Sequence, residues 1–379
     1  MECQRHLFTL PEDQHYLNCA YMAPLLKSVE AAGIAGLRRK VNPAELVPAD
    51  FFDETQELRR LFARLVNTTP ERVALVPAVS YGMAIASHNT RLRPSQNVVI
   101  PGEEFPSNVY AWMAQCQQSG ARLRFVERPD QEASDGWTTR LLDAIDRNTA
   151  VVTLSTVHWT DGTPFDVDQI GRRAREVGAL FIVDGTQSIG AVPFDFTQTQ
   201  PDLLVCAGYK WLFGPYQYCF AVVGDRLLDA EPFEHNWITR KNSQDFSALI
   251  NYQSEFQPGA QRFDAGERSN FILVPMLIEA LNQLDRWGVA NIRAYCARLS
   301  SGLAEALADS PYTLGAERSA HLFGVRLPDA GRIPAILAEI RRRRVYVSQR
   351  GSSIRVSPHV YNRPEDIQAL AEALLRAVS

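Results

Sequence analysis

Four things are scarce in this sequence, and each scarcity removes a class of function. There is no excess of positive charge, because 39 Lys and Arg against 43 Asp and Glu leave a formal net charge of -4 at pH 7. Nucleic-acid binding normally rests on a basic face that neutralises phosphates, so no nucleic-acid partner is expected. Cysteine is present without a pattern: Cys3, Cys19, Cys116, Cys206, Cys219 and Cys296 form no CxxC pair. That speaks against a zinc site and against a disulfide framework, and it suits reduced thiols. None of the seven histidines has metal-ligand spacing to another His or Cys, so no metal is expected. No apolar run approaches the ~20 residues of a membrane span, and the stretch from Met1 to Pro11 is charged. The expectation is a cytoplasmic protein with no membrane partner. Internal repeats and low-complexity linkers are also missing.

What remains is the profile of a globular chain. Of 379 residues, 46% are hydrophobic and 22% charged, enough to build a packed core. Single cores stop growing near about 250–300 residues, so two lobes are expected. Short β-branched and apolar runs recur at Val73–Val76, Val98–Ile100, Leu123–Val126, Val151–Leu154, Leu180–Val183, Leu203–Cys206 and Phe220–Val223, and these read as seven buried strands. Amphipathic stretches such as Asn108–Gln118, Thr139–Asp146 and Asp168–Val177 lie between them. Strands alternating with helices imply a mostly parallel sheet flanked by helices, an α/β domain. Beyond Asn270 the texture changes to long helical patterns and then to short strands and a last helix from Pro364. Residues 16–270 are therefore assigned to a large α/β domain, and 1–15 with 271–379 to a smaller α+β domain.

The chemistry concentrates between Phe181 and Pro215, FIVDGTQSIGAVPFDFTQTQPDLLVCAGYKWLFGP. One predicted strand ends on Asp184, and the next ends just before Gly208, Tyr209 and Lys210. Two parallel strands would then deliver a carboxylate and an amine to the carboxyl edge of the sheet, where ligands of open α/β sheets bind. A buried carboxylate facing a pyridinium nitrogen keeps that ring protonated and makes it an electron sink, while a lysine of lowered pKa forms an imine with an aldehyde. Each residue alone has a plain reading, a helix cap for Asp184 and a surface cation for Lys210. It is the ordered combination that points to chemistry.

That combination resembles the class V aminotransferase group of fold-type I pyridoxal-phosphate-dependent enzymes, a group that includes kynureninase, isopenicillin N epimerase and cysteine desulfurases. The resemblance covers nearly the whole chain. It implies pyridoxal 5'-phosphate as cofactor, Lys210 as its Schiff-base lysine, Asp184 against the pyridine nitrogen and Gln187 near the phenolic oxygen, with Tyr209 beside them. Ser80, Tyr81 and Gly82, opening a helix after the first strand, become phosphate ligands. Glu104-Phe-Pro-Ser-Asn108 and Leu154-Ser-Thr-Val-His-Trp-Thr-Asp-Gly162 resemble kynureninase segments. They suggest that Phe105 stacks on the cofactor ring, that Ser155 reaches the cofactor and that His158 lies over the ring or near the substrate. Trp237, Ser269 and Asn270 would reach the phosphate of a neighbouring subunit, so a homodimer with shared active sites is implied. Arg355 resembles the arginine that holds a substrate carboxylate through a bidentate fork.

The departures also carry information. The stretch Val347-Ser-Gln-Arg-Gly-Ser-Ser353 holds no cysteine, which disfavours persulfide chemistry. Tyr216, Gln217 and Tyr218 replace the usual small residue after Gly-Pro and are expected to reshape the pocket. The implied function is an enzyme acting on the α-amino group of a small amino acid through a stabilised carbanion, an aminotransferase first. A β-lyase of kynureninase or carbon–sulfur type, an amino-acid epimerase, and a catalytically silent scaffold are the alternatives.

Overall fold

A computed structural model describes residues 1–129, 136–327 and 329–378. The chain enters through β1 (His15–Tyr16) and two helices, α1 (Lys27–Arg39) and α2 (Asp53–Leu65). Then strands and helices alternate: β2 (Val73–Val76), α3 (Val79–His88), β3 (Asn97–Pro101), α4 (Tyr110–Ser119), β4 (Arg122–Val126), α5 (Trp137–Ala144), β5 (Thr149–Ser155), α6 (Val167–Glu176), β6 (Leu180–Asp184), the single turn α7 (Phe196–Thr199), β7 (Leu203–Ala207) and β8 (Cys219–Val223). The seven strands from β2 to β8 form one sheet in the order β2-β8-β7-β6-β5-β3-β4. Every neighbouring pair from β7 across to β4 is parallel, and only β8 runs antiparallel, between β7 and β2. All seven predicted strands are present in this sheet.

Both faces of the sheet are covered, which explains why its central strands read as unbroken apolar runs. Side chains alternate along a strand. Phe181, Val183, Leu204 and Cys206 join one core with Leu58 and Phe62 of α2, while Ile182, Leu203 and Val205 join another with Met83 and Ile85 of α3 and Trp112 of α4. The edge strand β4 keeps Arg122 and Arg124 exposed, a charged rim that blocks further strand pairing.

The remainder runs through α8 (Leu273–Trp287), α9 (Val289–Ala306), β9 (Thr313–Leu314), β10 (Phe323–Arg326), α10 (Ile333–Arg342), β11 (Val345–Tyr346), β12 (Ser348–Arg350), β13 (Ser353–Val356) and α11 (Pro364–Val378). α8 packs on α1 and α2 and supplies Leu277, Ala280 and Leu284 to the first core. The antiparallel sheet β12-β13-β10-β9 is backed by a third core, in which Phe323, Val325, Ile354 and Val356 meet Leu299 and Leu303 of α9 and Leu370 and Leu374 of α11. β1 pairs in parallel with β11, so the start of the chain is tied to its C-terminal third. Among the described residues no helix is long and apolar enough to cross a membrane.

Candidate active site

Three neighbouring parallel strands end side by side and deliver three polar groups to one edge. In the register, Ser155 at the end of β5 is opposite Asp184 at the end of β6, and Asp184 is opposite Val205 of β7. β7 then stops at Ala207, and Gly208 and Tyr209 lead to Lys210. Asp184 and Lys210 open onto the same cavity of about 460 Å³, with Ser80, Phe105, Ser155, Trp159, Gln187 and Tyr209 also in its wall. That volume is typical of a small-molecule site.

Burial sets the electrostatics. It pushes the Lys210 ammonium down to about 8, the Asp184 carboxylate works in the opposite sense, and the guanidinium groups of Arg355 and Arg350 add to the depression. Burial also raises Asp184, against the hydrogen bonds from Thr186 and the charge of Lys210. The Thr186 N–H donates to Asp184 Oδ1 at 2.9 Å. A nearly dry amine and a nearly dry carboxyl therefore face one space, where charge interactions are much stronger than in water. Above them, the Lys210 amine lies 5.4 Å from the centre of the Phe105 ring, and Phe105 meets Trp159 edge to face at 5.4 Å.

Sequence reasoning left Glu104 without a role, although it organises this wall. Its carboxyl is buried and accepts from Phe105 N at 2.7 Å, from Ser155 N at 2.8 Å and from Ser155 Oγ at 2.7 Å. One carboxyl thus locks both Phe105 and Ser155. Burial pushes it up to about 7, the bonds from Ser155 and Phe105 pull it down, and Asp184 raises it further. A charged residue beside a predicted stacking aromatic was the available signal. Trp159 was also passed over, and it lines the cavity beside Phe105.

The other predicted residues divide by location. Gln187 is held at both ends of its amide, donating to Ala20 O at 3.3 Å and accepting from Trp211 Nε1 at 3.0 Å. Tyr216, Gln217 and Tyr218 all line the cavity as expected, with Tyr216 edge-on to Tyr209 at 4.6 Å. Of Ser80, Tyr81 and Gly82 at the start of α3, Ser80 lines the cavity, next to Val79. Tyr81 turns away to hydrogen-bond Glu234, and Gly82 is needed for packing, since a Cβ there would come within 2.5 Å of Val205 on β7. His158 is not brought to the cavity. Its ring stacks on Trp137 at 5.3 Å, and its nitrogens meet Gly102 O at 3.1 Å and Thr160 Oγ1 at 2.7 Å, which leaves it no free nitrogen for a substrate. Arg355 is not among the residues lining the cavity: it is buried and donates to the carbonyl of Trp159, which does line it, at 2.8 Å. Trp237, Ser269 and Asn270 gather elsewhere, around a separate cavity of about 400 Å³ with Phe51 and Phe271.

The donor set suits a phosphorylated aromatic aldehyde. An amine of lowered pKa can take the aldehyde, a buried carboxyl can face a ring nitrogen, and an aromatic ring can cover the ring face. The N-cap of α3 is Ala78, which has no side-chain acceptor; the Tyr81 and Gly82 N–H groups donate to its carbonyl at 3.1 and 3.2 Å, so the N–H groups of Val79 and Ser80 at the cavity wall are the ones suited to a phosphate. Fold and site together define a fold-type I pyridoxal-phosphate-dependent enzyme.

Comparison with known proteins narrows this. The model of the family "Aminotransferase class-V" matches residues 44–370, and the chain belongs to that family, with pyridoxal 5'-phosphate as its cofactor. It is similar to the uncharacterized aminotransferase YcbU of Bacillus subtilis, 25% identical over 83% of this chain and 82% of that protein. It is also similar to isopenicillin N epimerase of Streptomyces clavuligerus, 25% identical over 84% of this chain and 83% of that one. Among solved structures, the cystine C–S lyase C-DES, in a lysine-to-alanine mutant with glycine covalently linked to its PLP cofactor, superposes with a TM-score of 0.87. That likeness spans 98% of this chain and 99% of that one at 20% identity, and it establishes the fold.

Proposed function

We propose that the protein is an aminotransferase that acts on the α-amino group of a small amino acid. When bound, pyridoxal 5'-phosphate supplies the electron sink for the carbanion left by loss of the α-proton. Lys210 holds the cofactor's aldehyde at rest and, once free, moves that proton, since a lysine depressed to about 8 has a useful neutral fraction near physiological pH. Asp184 holds the proton on the ring nitrogen, Gln187 and Tyr209 flank the ring, and Phe105 covers its face. Ser155 is kept in place by Glu104 for contact with the cofactor. The Ser80 hydroxyl and the N–H groups of Val79 and Ser80 at the start of α3 take the phosphate, whereas those of Tyr81 and Gly82 already donate to Ala78 O at 3.1 and 3.2 Å. Arg355 takes the substrate carboxylate. Trp237, Ser269 and Asn270, remote from the Lys210 cavity, serve the phosphate of a second subunit in a homodimer. Residues 1–15 and 271–379 are read as the smaller of two units; the third core supports this from Tyr295 onward, whereas Phe8 and α8 pack into the first core. The observation that carries the proposal is the opening of Lys210 and Asp184 onto one cavity from neighbouring strand ends.

A β-lyase is the second reading, favoured by the two kynureninase-like segments, which both reach this cavity through Phe105, Ser107, Ser155 and Trp159. Formation of a persulfide on an enzyme cysteine is disfavoured, because burial raises the thiols of Cys19, Cys206 and Cys219 well above the ordinary range. A thiolate is what attacks sulfur. Purified enzyme incubated with amino acids and 2-oxo acids separates the two reactions. Appearance of the amino group on the oxo acid supports transamination; pyruvate or ammonia formed without any acceptor overturns it in favour of the lyase.

A further inference from the structure

Next to the cavity sits a second cation that the proposed function does not use. β12 and β13 form a hairpin through Gly351 and Ser352, with Gly351 at φ +54°, and their register places Ser348 opposite Arg355 and Arg350 opposite Ser353. Residues two apart on a strand share a face, and directly opposed residues do too. Arg350 and Arg355 are therefore diagonal neighbours on one face of the hairpin. Both meet Trp159: the Arg350 guanidinium lies 5.5 Å from the centre of its ring, and Arg355 donates to its carbonyl.

Neither arginine has found an anion. Among the described residues no carboxylate pairs with either, and the Nε of each is buried without a hydrogen-bond partner. Arg350 makes one bond, from a terminal nitrogen to Gln349 O at 2.7 Å, and Arg355 makes one to Trp159. The nearby carboxylates are already taken: Asp161 by Arg128 at 2.6 Å and by Arg326, and Glu103 by Arg128 at 2.7 Å. Two like charges held diagonally across a hairpin repel, and burying an unpaired donor is unfavourable. Burial, with the charge of Arg350 acting in the same sense, lowers the Arg355 guanidinium to about 9. Such a pair is relieved by a ligand that carries two anionic groups.

We propose that Arg350 is a specificity-determining residue and that the substrate is an amino dicarboxylic acid, its α-carboxylate on Arg355 and its side-chain carboxylate on Arg350. This rests on the reading of the Lys210 cavity as an amino-acid site. It adds what that reading leaves open, the class of side chain accepted.

The test uses the holoenzyme and compares kcat/KM for aspartate with asparagine and for glutamate with glutamine. The acids are expected to lead by roughly 10-fold or more, the worth of a charge-assisted hydrogen bond. Arg350→Gln should collapse that ratio toward one, and Arg350→Lys should restore part of it. Calorimetry with unreactive ligands gives an independent readout: succinate should bind the enzyme more tightly than propionate, and Arg350→Gln should cost succinate roughly 10-fold. Equal handling of acid and amide, or a loss in Arg350→Gln that is the same for both members of each pair, overturns the inference while leaving the amino-acid reaction intact. Should no amino acid react although succinate keeps its dependence on Arg350, the reaction assignment falls and the two-anion site stands.

Discussion

Lys210 owes its chemistry to where it is, since the same side chain on the surface would remain an ordinary ammonium. Its depressed pKa has a definite sign. Below about 8 the amine is protonated and cannot attack an aldehyde, and above that value it is free to do so. Stripped of cofactor, the enzyme should therefore recapture pyridoxal 5'-phosphate at a rate that rises as pH increases through about 8 and then levels off. Stopped-flow recording of the visible band of the lysine-bound cofactor measures it. A rate that climbs steadily toward pH 10 would show that Lys210 keeps the pKa of a solvated lysine. Glu104 teaches the complementary lesson. Apart from its place next to Phe105, nothing in its immediate sequence distinguishes it from a surface acid such as Glu103, yet three donors converge on it because β5 ends against the loop that carries it.

Elements place these groups, and small residues let the elements approach. α3 sits on the sheet at Gly82, where any side chain would run into Val205. Gly82→Ala should push the helix away from β7. The expected cost is about 1–3 kcal/mol of stability, the usual price of overpacking. Because the first turn of α3 forms part of the cavity wall, cofactor affinity should fall along with the melting temperature. Thermal unfolding with and without added cofactor separates the two effects: a variant that loses stability yet binds cofactor as tightly as the parent would detach α3 from the phosphate. The strands themselves were readable, since β5, β6 and β7 are buried on both faces and show it as apolar runs. β8 was recognisable as a strand as well, but its reversed direction was not, because an antiparallel partner buried on both faces has the same composition as a parallel one.

For the molecule as a whole, the position of Trp237, Ser269 and Asn270 is the informative fact. They cluster with Phe51 and Phe271 around a cavity of their own, apart from the Lys210 site. In a single chain they have nothing to do with Lys210. Asn270 in addition accepts from the N–H groups of Ile272 and Leu273 at 3.0 Å, which fixes the start of α8. If they complete a second subunit's site, Lys210→Ala and Asn270→Ala should each be nearly inactive alone and regain part of the activity when mixed under conditions that exchange subunits. Mixtures no more active than their components, from samples shown by sedimentation to have exchanged, would confine each site to one chain.

The seven strands, the two polar strand ends and the string around the lysine were legible in the linear chain, because buried apolar runs, the acid closing β6 and the Gly-Tyr-Lys string after β7 are local patterns; the order of the strands in the sheet was not, since pairing between distant segments sets it. The family resemblance followed from those same strings. What no local pattern encodes is which side of a loop faces inward. His158 and Trp159 are adjacent in sequence, and folding turned the histidine onto Trp137 and the tryptophan into the cavity. Arg350 likewise looks like any turn residue until the hairpin sets it diagonal to Arg355. Those choices are made by packing between segments far apart in the chain, where the free energy of burying one ring or pairing one carboxyl depends on neighbours that only the assembled fold supplies.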